Sequence, residues 1–473
     1  MKKFTKILLI GCLLVMVSCN NWLDVDPKSQ VKDKDLFASE MGFKEALSGV
    51  YSLMTKEALY GKELTFGWLG VLGQEWTSVP YNYEDDQKYD FENAASEVRI
   101  DSVWTGLYNA IANANKLLKE LEGKENLFSG DNYSIIKGEV LALRAYLHFD
   151  LLRIFGASCA VGMERIAIPY VTEYAPTIFP QEKVGDFVGK VLKDLQDAAK
   201  CLENDPILTG RTVSEIDDNG YLMNRQVHLN YYAVKGLMAR VYLYKGDYAN
   251  AEVCAKEVIG SGCFEWVKQE NLTNESVADL TFSTEHLFAL NIVTLGNIVD
   301  KYLDGGNNSF ALEESRLSEY YGSSYDYRYL YLFKTGVGMS NTLRYLKKYD
   351  QLESVSWAQS YRNKLPLICL PEMYYILAEC RYHSSGDVLE PLNEVCRHRG
   401  VADLSEADLS AFETLLLAEY RKEVIGGGQL FFQYKRLNRS VVPGTDVDLA
   451  GEGRYVIPMP KEELENPGWV SNQ

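Results

Sequence analysis

Histidine is the side chain best suited to acid–base chemistry near neutral pH, and this chain has only five. No two are spaced four apart, and the sequence has no zinc-protease motif, nucleophile elbow or phosphate-binding glycine loop. The 66 acidic residues offer countless carboxylate pairs, which a sequence cannot separate from solvated surface acids. We therefore predict a protein without catalytic residues, cofactor or metal, and keep an exported glycoside hydrolase as the less favoured alternative. The five histidines are His148, His228, His286, His383 and His398.

Aromatic residues in irregular segments are the stronger chemical signal, because the chain has 32 Tyr against 18 Phe. Residues 61–92 mix Trp and Tyr with Gly, Pro, Asn and Asp, without the helical spacing that would bury a ring. An exposed ring can pack on the C–H face of a sugar, and Tyr and Trp offer large contact area at low entropic cost. We predict ligand contacts at Trp68, Trp76, Tyr81, Asn82 and Tyr83.

A second irregular segment, residues 295–331, repeats this composition. Loops of this length in a compact protein tend to be functional. We predict that Tyr302 lies opposite the first loop and that Asn307 and Asn308 supply hydrogen-bonding amides. The alternative is that tyrosines fill grooves between helices. Asp300 and Asp304 lack the spacing of a calcium-binding loop, so we expect no metal here.

The N-terminus has the organisation of an exported protein. Residues 1–6 hold three lysines and no acid, and residues 7–17 form an apolar run too short to cross a bilayer, which needs about 20 residues. Cys19 closes this run in a pattern similar to a bacterial lipobox, with Met16 in place of the usual Leu. We predict a lipoprotein signal peptide at residues 1–18 and lipidation of Cys19. A soluble periplasmic protein with a chance cysteine is the alternative.

Composition narrows the possible partners. The formal net charge is −18. Loss of residues 1–18 would remove three lysines and no acid, and would make the net charge still more negative. Such a chain does not bind nucleic acid or an anionic bilayer through its surface charge. The seven cysteines beyond Cys12 and Cys19 include no CxxC pair, so we expect no disulfide framework. Cys254 and Cys263 are the only close pair, and whether they bond stays open.

Helical periodicity dominates the rest of the chain, and we predict a mainly α protein. Residues 231–259 read as two helices joined by a short turn, like a tetratricopeptide unit. Residues 372–399 repeat this pattern, and residues 139–155 with 184–202 form a possible third pair. Strand-like alternation is limited to short stretches at residues 286–293 and 343–349. We predict one helical domain over residues 19–473, with loop insertions at about 61–92 and 295–331.

Several motifs, in order along the chain, resemble the SusD/RagB family of outer-membrane nutrient-binding lipoproteins. The family often carries Glu-Arg and Glu-Gly near its last long helix, where this chain has Glu419-Tyr420 and Gly427-Gly428. This departure is expected to alter local packing and not the fold. The resembling segments are Cys19 with 22–27, then 104–115, 141–156, 168–169, 239–259, 372–379 and 455–467.

The resemblance implies a SusD-like fold, in which tetratricopeptide-like helix pairs pack with a loop-rich ligand-binding region. It also implies a lipid-anchored protein on the outer face of the outer membrane. Such a protein captures oligosaccharides and passes them to a SusC-like TonB-dependent transporter. Oligopeptide uptake, as for RagB-like proteins, is the alternative, and exposed aromatic rings favour the glycan.

Overall fold

The protein is described by a computed structural model that covers residues 34–214, 220–274, 276–336, 342–351 and 361–472. The predicted signal peptide and Cys19 lie outside these residues. The helices discussed below are α1 (Glu40–Met54), α2 (Trp68–Leu72), α3 (Ala94–Leu121), α4 (Asn132–Phe155), α5 (Cys159–Gly162), α6 (Val184–Cys201), α7 (Pro206–Thr209), α8 (Tyr231–Lys245), α9 (Tyr248–Ile259), α10 (Glu270–Thr273), α11 (Leu295–Tyr302), α12 (Glu314–Tyr321), α13 (Tyr327–Tyr331), α14 (Leu370–Ser384), α15 (Leu389–His398), α16 (Phe412–Val424) and α17 (Leu430–Arg436).

The long helices stack in a continuous series, as the sequence predicts. α3 packs on α4, α4 on α6, α6 on α8, α8 on α9, α9 on α14, and α14 on α15. The three predicted helix pairs are therefore confirmed as α4–α6, α8–α9 and α14–α15. Stacking buries a face that no single pair covers alone, which is the physical basis of tetratricopeptide-like architecture.

The turn between α8 and α9 shows how the sequence fixes one such pair. Asn230 caps the N-terminus of α8 by accepting a hydrogen bond from the Ala233 N–H at 3.0 Å. Gly246 ends α8 with φ at +80°, a left-handed conformation that glycine adopts without strain. Asp247 then caps α9 by accepting from the Asn250 N–H at 3.2 Å, so the chain reverses within two residues.

Short strands complete the described fold. The strands are β1 (Ile166–Pro169), β2 (Gln181–Lys183), β3 (His286–Asn291), β4 (Leu312–Glu313), β5 (Phe333–Thr335), β6 (Leu343–Leu346) and β7 (Lys364–Cys369). β3 pairs antiparallel with β7, β1 pairs with β2, and β4, β6 and β5 form a three-stranded sheet in that order. The two strands predicted from the sequence are confirmed as β3 and β6. The other strands were not predicted.

The central helix α4 is buried almost all round between α3 and α6, in keeping with its near-continuous apolar sequence. Its polar side chains are paired inside the protein. Arg144 contacts both carboxylate oxygens of Asp194 on α6, at 2.6 and 2.7 Å. The His148 Nδ1 donates to the Arg144 carbonyl, and its Nε2 accepts from the Val171 N–H, each at 2.9 Å. Burial lowers the pKa of His148 to about 3, so this histidine is a neutral core residue.

The glycines after α16 fix the position of the first irregular loop. Gly426 and Gly428 have φ of +72° and +68°, as expected for glycines that follow a helix end. A Cβ added to Gly428 would lie 2.5 Å from the Leu64 carbonyl oxygen, so this backbone packs directly on residues 61–92.

The seven cysteines of the described residues are all free, Cys254 and Cys263 included.

Candidate ligand-binding site

The two irregular loops in which the sequence places the site are joined by backbone hydrogen bonds. The N–H groups of Thr77 and Ser78 both donate to the Ala311 carbonyl at 3.0 Å, and the Ala311 N–H returns a bond to Ser78. The Glu313 N–H also donates to the Thr77 hydroxyl at 2.7 Å. Residues from two distant parts of the sequence thus form one structural unit.

An aromatic cluster fills the space beneath this junction, and Phe310 of the second loop stands at its centre. The Phe310 ring centroid lies 5.1 Å from Tyr83, 5.9 Å from Trp76 and 6.0 Å from Phe66. Tyr302 joins the same cluster at 6.5 Å from Phe310. The two loops therefore share a small hydrophobic core, and Tyr302 does lie across from the first loop.

Both tryptophans of the predicted site belong to the protein interior. Trp68 is 0% exposed, and its indole N–H donates to the Asp86 carboxylate at 3.0 Å. Trp76 is 2% exposed, and its indole N–H donates to the Phe66 carbonyl at 2.7 Å. The expectation that these rings are open to a ligand is wrong, because helix α2 and the following turn fold the loop onto itself.

Tyr83 is also buried, as part of a charged cluster. Its hydroxyl accepts from the Lys62 ammonium at 2.8 Å and donates to the Glu63 carboxylate at 2.8 Å. The Arg99 guanidinium lies 3.9 Å from the ring centroid and pairs with Asp86. Burial raises the pKa of Asp86 to about 6, although Arg99 opposes this shift. This cluster holds the first loop against α3, so Tyr83 is a structural residue and the prediction of ligand contact is corrected.

Tyr302 has a similar structural position. Its ring is largely buried, and its hydroxyl donates to the Glu57 carboxylate at 2.6 Å. The ammonium groups of Lys62 and Lys301 lie 4.8 and 4.7 Å from the ring centroid. The ring is therefore covered by cations and is not the open platform that the sequence suggested.

Tyr81 is the predicted residue that the structure leaves open to solvent, with 86% of its surface exposed. It begins a short 3-10 turn after Pro80, and the Tyr83 N–H closes this turn on the Pro80 carbonyl at 2.8 Å. The Arg99 guanidinium donates to the carbonyl of the neighbouring Asn82 at 3.1 Å. Tyr81 thus projects from backbone that buried residues hold in place.

The predicted amides are exposed as well. Asn82 lies beside Tyr81, and Asn307 and Asn308 lie on the turn that precedes Phe310. The Gly305 N–H donates to the Ser309 hydroxyl at 3.0 Å and fixes this turn. We call Tyr81, Asn82, Asn307 and Asn308 the exposed rim.

A second open ring, at Tyr325, was missed by the sequence analysis. It is 76% exposed and lies between α12 and α13, where a Gly-Ser-Ser segment offers it no packing partner. Its neighbour Arg328 is buried and bonded to Asp326 at 2.7 Å, with Glu419 and Glu423 nearby. Arg328 is therefore a structural residue.

The described residues contain no group of three or more His, Cys, Asp or Glu that could hold a metal ion. Asp304, considered above for a cation loop, pairs with the Lys334 ammonium at 2.8 Å. Among the described helices, none is both long and apolar enough to cross a membrane.

Parts of this chain are similar in sequence to known proteins. Residues 21–243 match the model of a SusD-like family described as starch-binding and associating with the outer membrane. Two SusD-like proteins of Formosa agariphila are 25% and 26% identical to this chain, over 56% and 33% of its length. The aligned regions span 47% and 30% of those relatives, so this chain matches less than half of each.

Solved structures share the fold over most of the chain. A SusD superfamily protein from Bacteroides thetaiotaomicron superposes with a TM-score of 0.74 and 21% identity, covering 92% of this chain and 100% of that one. A surface glycan-binding protein A from Bacteroides fluxus gives a TM-score of 0.67 and 18% identity, covering 91% and 100%. In its family match and its curated relatives this chain is similar to SusD-like proteins, and it shares the fold of the SusD superfamily.

Proposed function

We propose that this protein binds oligosaccharides at the bacterial surface and delivers them to a SusC-like TonB-dependent transporter. The observation that carries the proposal is the exposed rim, where Tyr81 projects from a hydrogen-bonded turn beside the amide of Asn82. The starch-binding description of the matching family supports this reading, and so does the glycan-binding name of a similar structure.

The chemistry of the exposed rim suits a neutral sugar. The open Tyr81 ring offers an apolar face for the C–H groups of a pyranose. Asn82, Asn307 and Asn308 each carry an amide that both donates and accepts hydrogen bonds, as sugar hydroxyls do. The buried cluster beneath the loops keeps these groups in place, which limits the entropy lost on binding.

Binding without turnover is part of the proposal. His148 and His286 are buried and hydrogen-bonded to backbone carbonyls, and burial lowers the pKa of His286 to about 4. His228 pairs with the Glu139 carboxylate at 2.9 Å. These three imidazoles serve the interior of the protein and are not poised for acid–base work.

The family likeness and the N-terminal sequence support a proposal for the location and the partner. We propose that Cys19 carries the lipid that holds the protein to the outer membrane. The transporter would then supply the passage that a lipid-anchored binding protein lacks.

Calorimetry on single-residue variants tests the site. The purified protein is titrated with malto-oligosaccharides and then with a panel of other oligosaccharides, and the recovered ligand is checked for cleavage. Tyr81→Ala should lower the affinity about tenfold to a hundredfold, by analogy with the roughly 1–3 kcal/mol lost per stacked base. Tyr174→Ala is the matched control, since Tyr174 is an exposed tyrosine outside both loops. Equal affinity in both variants would remove Tyr81 from the site, and shortened products would favour an enzyme.

A further inference from the structure

A cavity that shares no residue with the exposed rim is lined by more cations than acids. Its volume is about 310 Å³, and it lies between the short helix α5, helix α17 and residues 449–456. Three cations line it, Arg165, Lys435 and Arg454, against the single acid Glu452. Arg454 pairs with Glu452 at 3.2 Å. Within the described parts of the chain, Arg165 and Lys435 have no carboxylate partner.

Lys435 is anomalous among the buried cations. It is 1% exposed, and its ammonium donates to the Ile154 carbonyl at 3.2 Å. The next residue, Arg436, instead contacts both oxygens of Glu379 at 2.7 Å. A buried ammonium without a carboxylate is costly, and burial lowers the pKa of Lys435 well below its ordinary value, with nearby Arg153 acting in the same direction.

Ser158 adds an unused hydrogen-bonding group to the same cavity. Its hydroxyl is buried and has no hydrogen-bond partner among the described residues. Buried polar groups are normally paired, so an unpaired hydroxyl and a buried ammonium without a carboxylate in one cavity lining require explanation, whereas Arg165 is exposed to solvent. An anionic oxygen would satisfy all three groups, because charge-assisted bonds to oxyanions are the strongest that such donors form.

We propose that this cavity binds a small organic oxyanion, held by Lys435 and Arg165 and by a hydrogen bond from Ser158. The volume is at the lower end of the range for small-molecule sites, about 300–1,000 Å³, which suits a single acidic monosaccharide. A bound anion would favour the charged form of Lys435. The proposal does not depend on the exposed rim, since the two sites share no residue.

The test uses glucuronate, with glucose as its uncharged counterpart and inorganic sulfate as a second oxyanion. Calorimetry at constant ionic strength measures the affinity. We expect glucuronate to bind and to raise the melting temperature, while glucose does neither. Sulfate binding as tight as that of glucuronate would show that the cavity does not select an organic oxyanion and would overturn the proposal.

Lys435→Met keeps most of the side-chain volume and removes the charge. We expect at least a tenfold loss of glucuronate affinity and a ligand-free melting temperature equal to or above that of the wild type. Lys88→Met, at an exposed lysine of the neighbouring cleft, should leave binding unchanged. The proposal is overturned if neither oxyanion binds, or if Lys435→Met binds glucuronate as tightly as the wild type. Oligosaccharide binding at Tyr81 is measured separately and is unaffected by either result.

Discussion

Tyr81 and Trp76 occupy the same loop, yet one ring is open to solvent and the other is inside the protein. The sequence places both among Gly, Pro and Asn, where no helical stripe requires a buried ring. The Trp76 ring packs against Phe310, which comes from a distant loop, and its indole N–H donates to the Phe66 carbonyl. Local pattern therefore identified the irregular loops but could not separate the buried rings from the exposed one.

Trp76→Ala is expected to act on stability. Removing a buried ring of this size costs about 3–5 kcal/mol, and here the variant also loses the indole bond to Phe66. Urea unfolding measures the loss, and Trp76→Phe should recover part of it. An Ala variant with wild-type stability and weakened oligosaccharide binding would return Trp76 to the ligand site.

Glu75 gives stability a specific dependence on pH. Burial raises its pKa from 4.5 to about 8, although the Gly426 N–H donates to its carboxylate at 2.7 Å. The folded protein therefore keeps a proton that the unfolded chain releases above about pH 4.5. This contribution to stability is complete below that pH and is lost as the pH rises towards 8.

Glu75→Gln mimics the protonated form and should remove this dependence. Urea unfolding between pH 5 and pH 8 measures it for both proteins. We expect the wild type to lose stability with rising pH more steeply than the variant. Parallel curves would show that Glu75 is ionised in the folded protein.

At the scale of elements, the long helices were predictable because most carry a periodic apolar face that repeats over several turns, and α4 is a long apolar run buried almost all round. The short strands were not. β7 pairs with β3 across a wide sequence separation, and two-residue β4 gains its register only from β6. Strand propensity over so few residues depends on partners that the local sequence does not show.

Helix packing can be tested with two glycines of opposite environment. A Cβ on Gly138 of α4 would lie 2.7 Å from the Leu202 side chain, whereas Gly189 of α6 has no heavy atom within 4 Å. Gly138→Ala should destabilise the protein by about 1–3 kcal/mol through overpacking. Gly189→Ala should be neutral or stabilise it by up to about 1 kcal/mol. Thermal melts compare the two, and equal shifts would contradict the close approach of α4 to α6.

At the scale of the whole molecule, we propose one domain over residues 19–473. One large hydrophobic cluster that includes residues from Phe37 to Met459 supports this, with two smaller clusters beside it. The C-terminal segment closes over the early helices, where Glu463 accepts from the Trp104 indole at 3.0 Å and Asn472 donates to the Phe155 carbonyl at 2.6 Å. The order of motifs in the sequence was sufficient for the fold, but these long-range contacts required the structure.

Membrane attachment is also a property of the whole molecule. Cys19→Ala should release the protein from the membrane fraction, because each acyl CH₂ buried in the bilayer contributes about 0.8 kcal/mol to the anchor. Cell fractionation with an antibody to the protein measures this. A variant that stays with the membranes would contradict the lipid anchor.

The central claim is that an oligosaccharide binds across the exposed rim. A crystal structure of the protein with the tightest oligosaccharide found by calorimetry tests it most directly. We predict an intact sugar packed on the Tyr81 ring, with hydroxyls bonded to the amides of Asn82, Asn307 or Asn308. An intact sugar bound elsewhere, with Tyr81 free in solvent, would contradict the account.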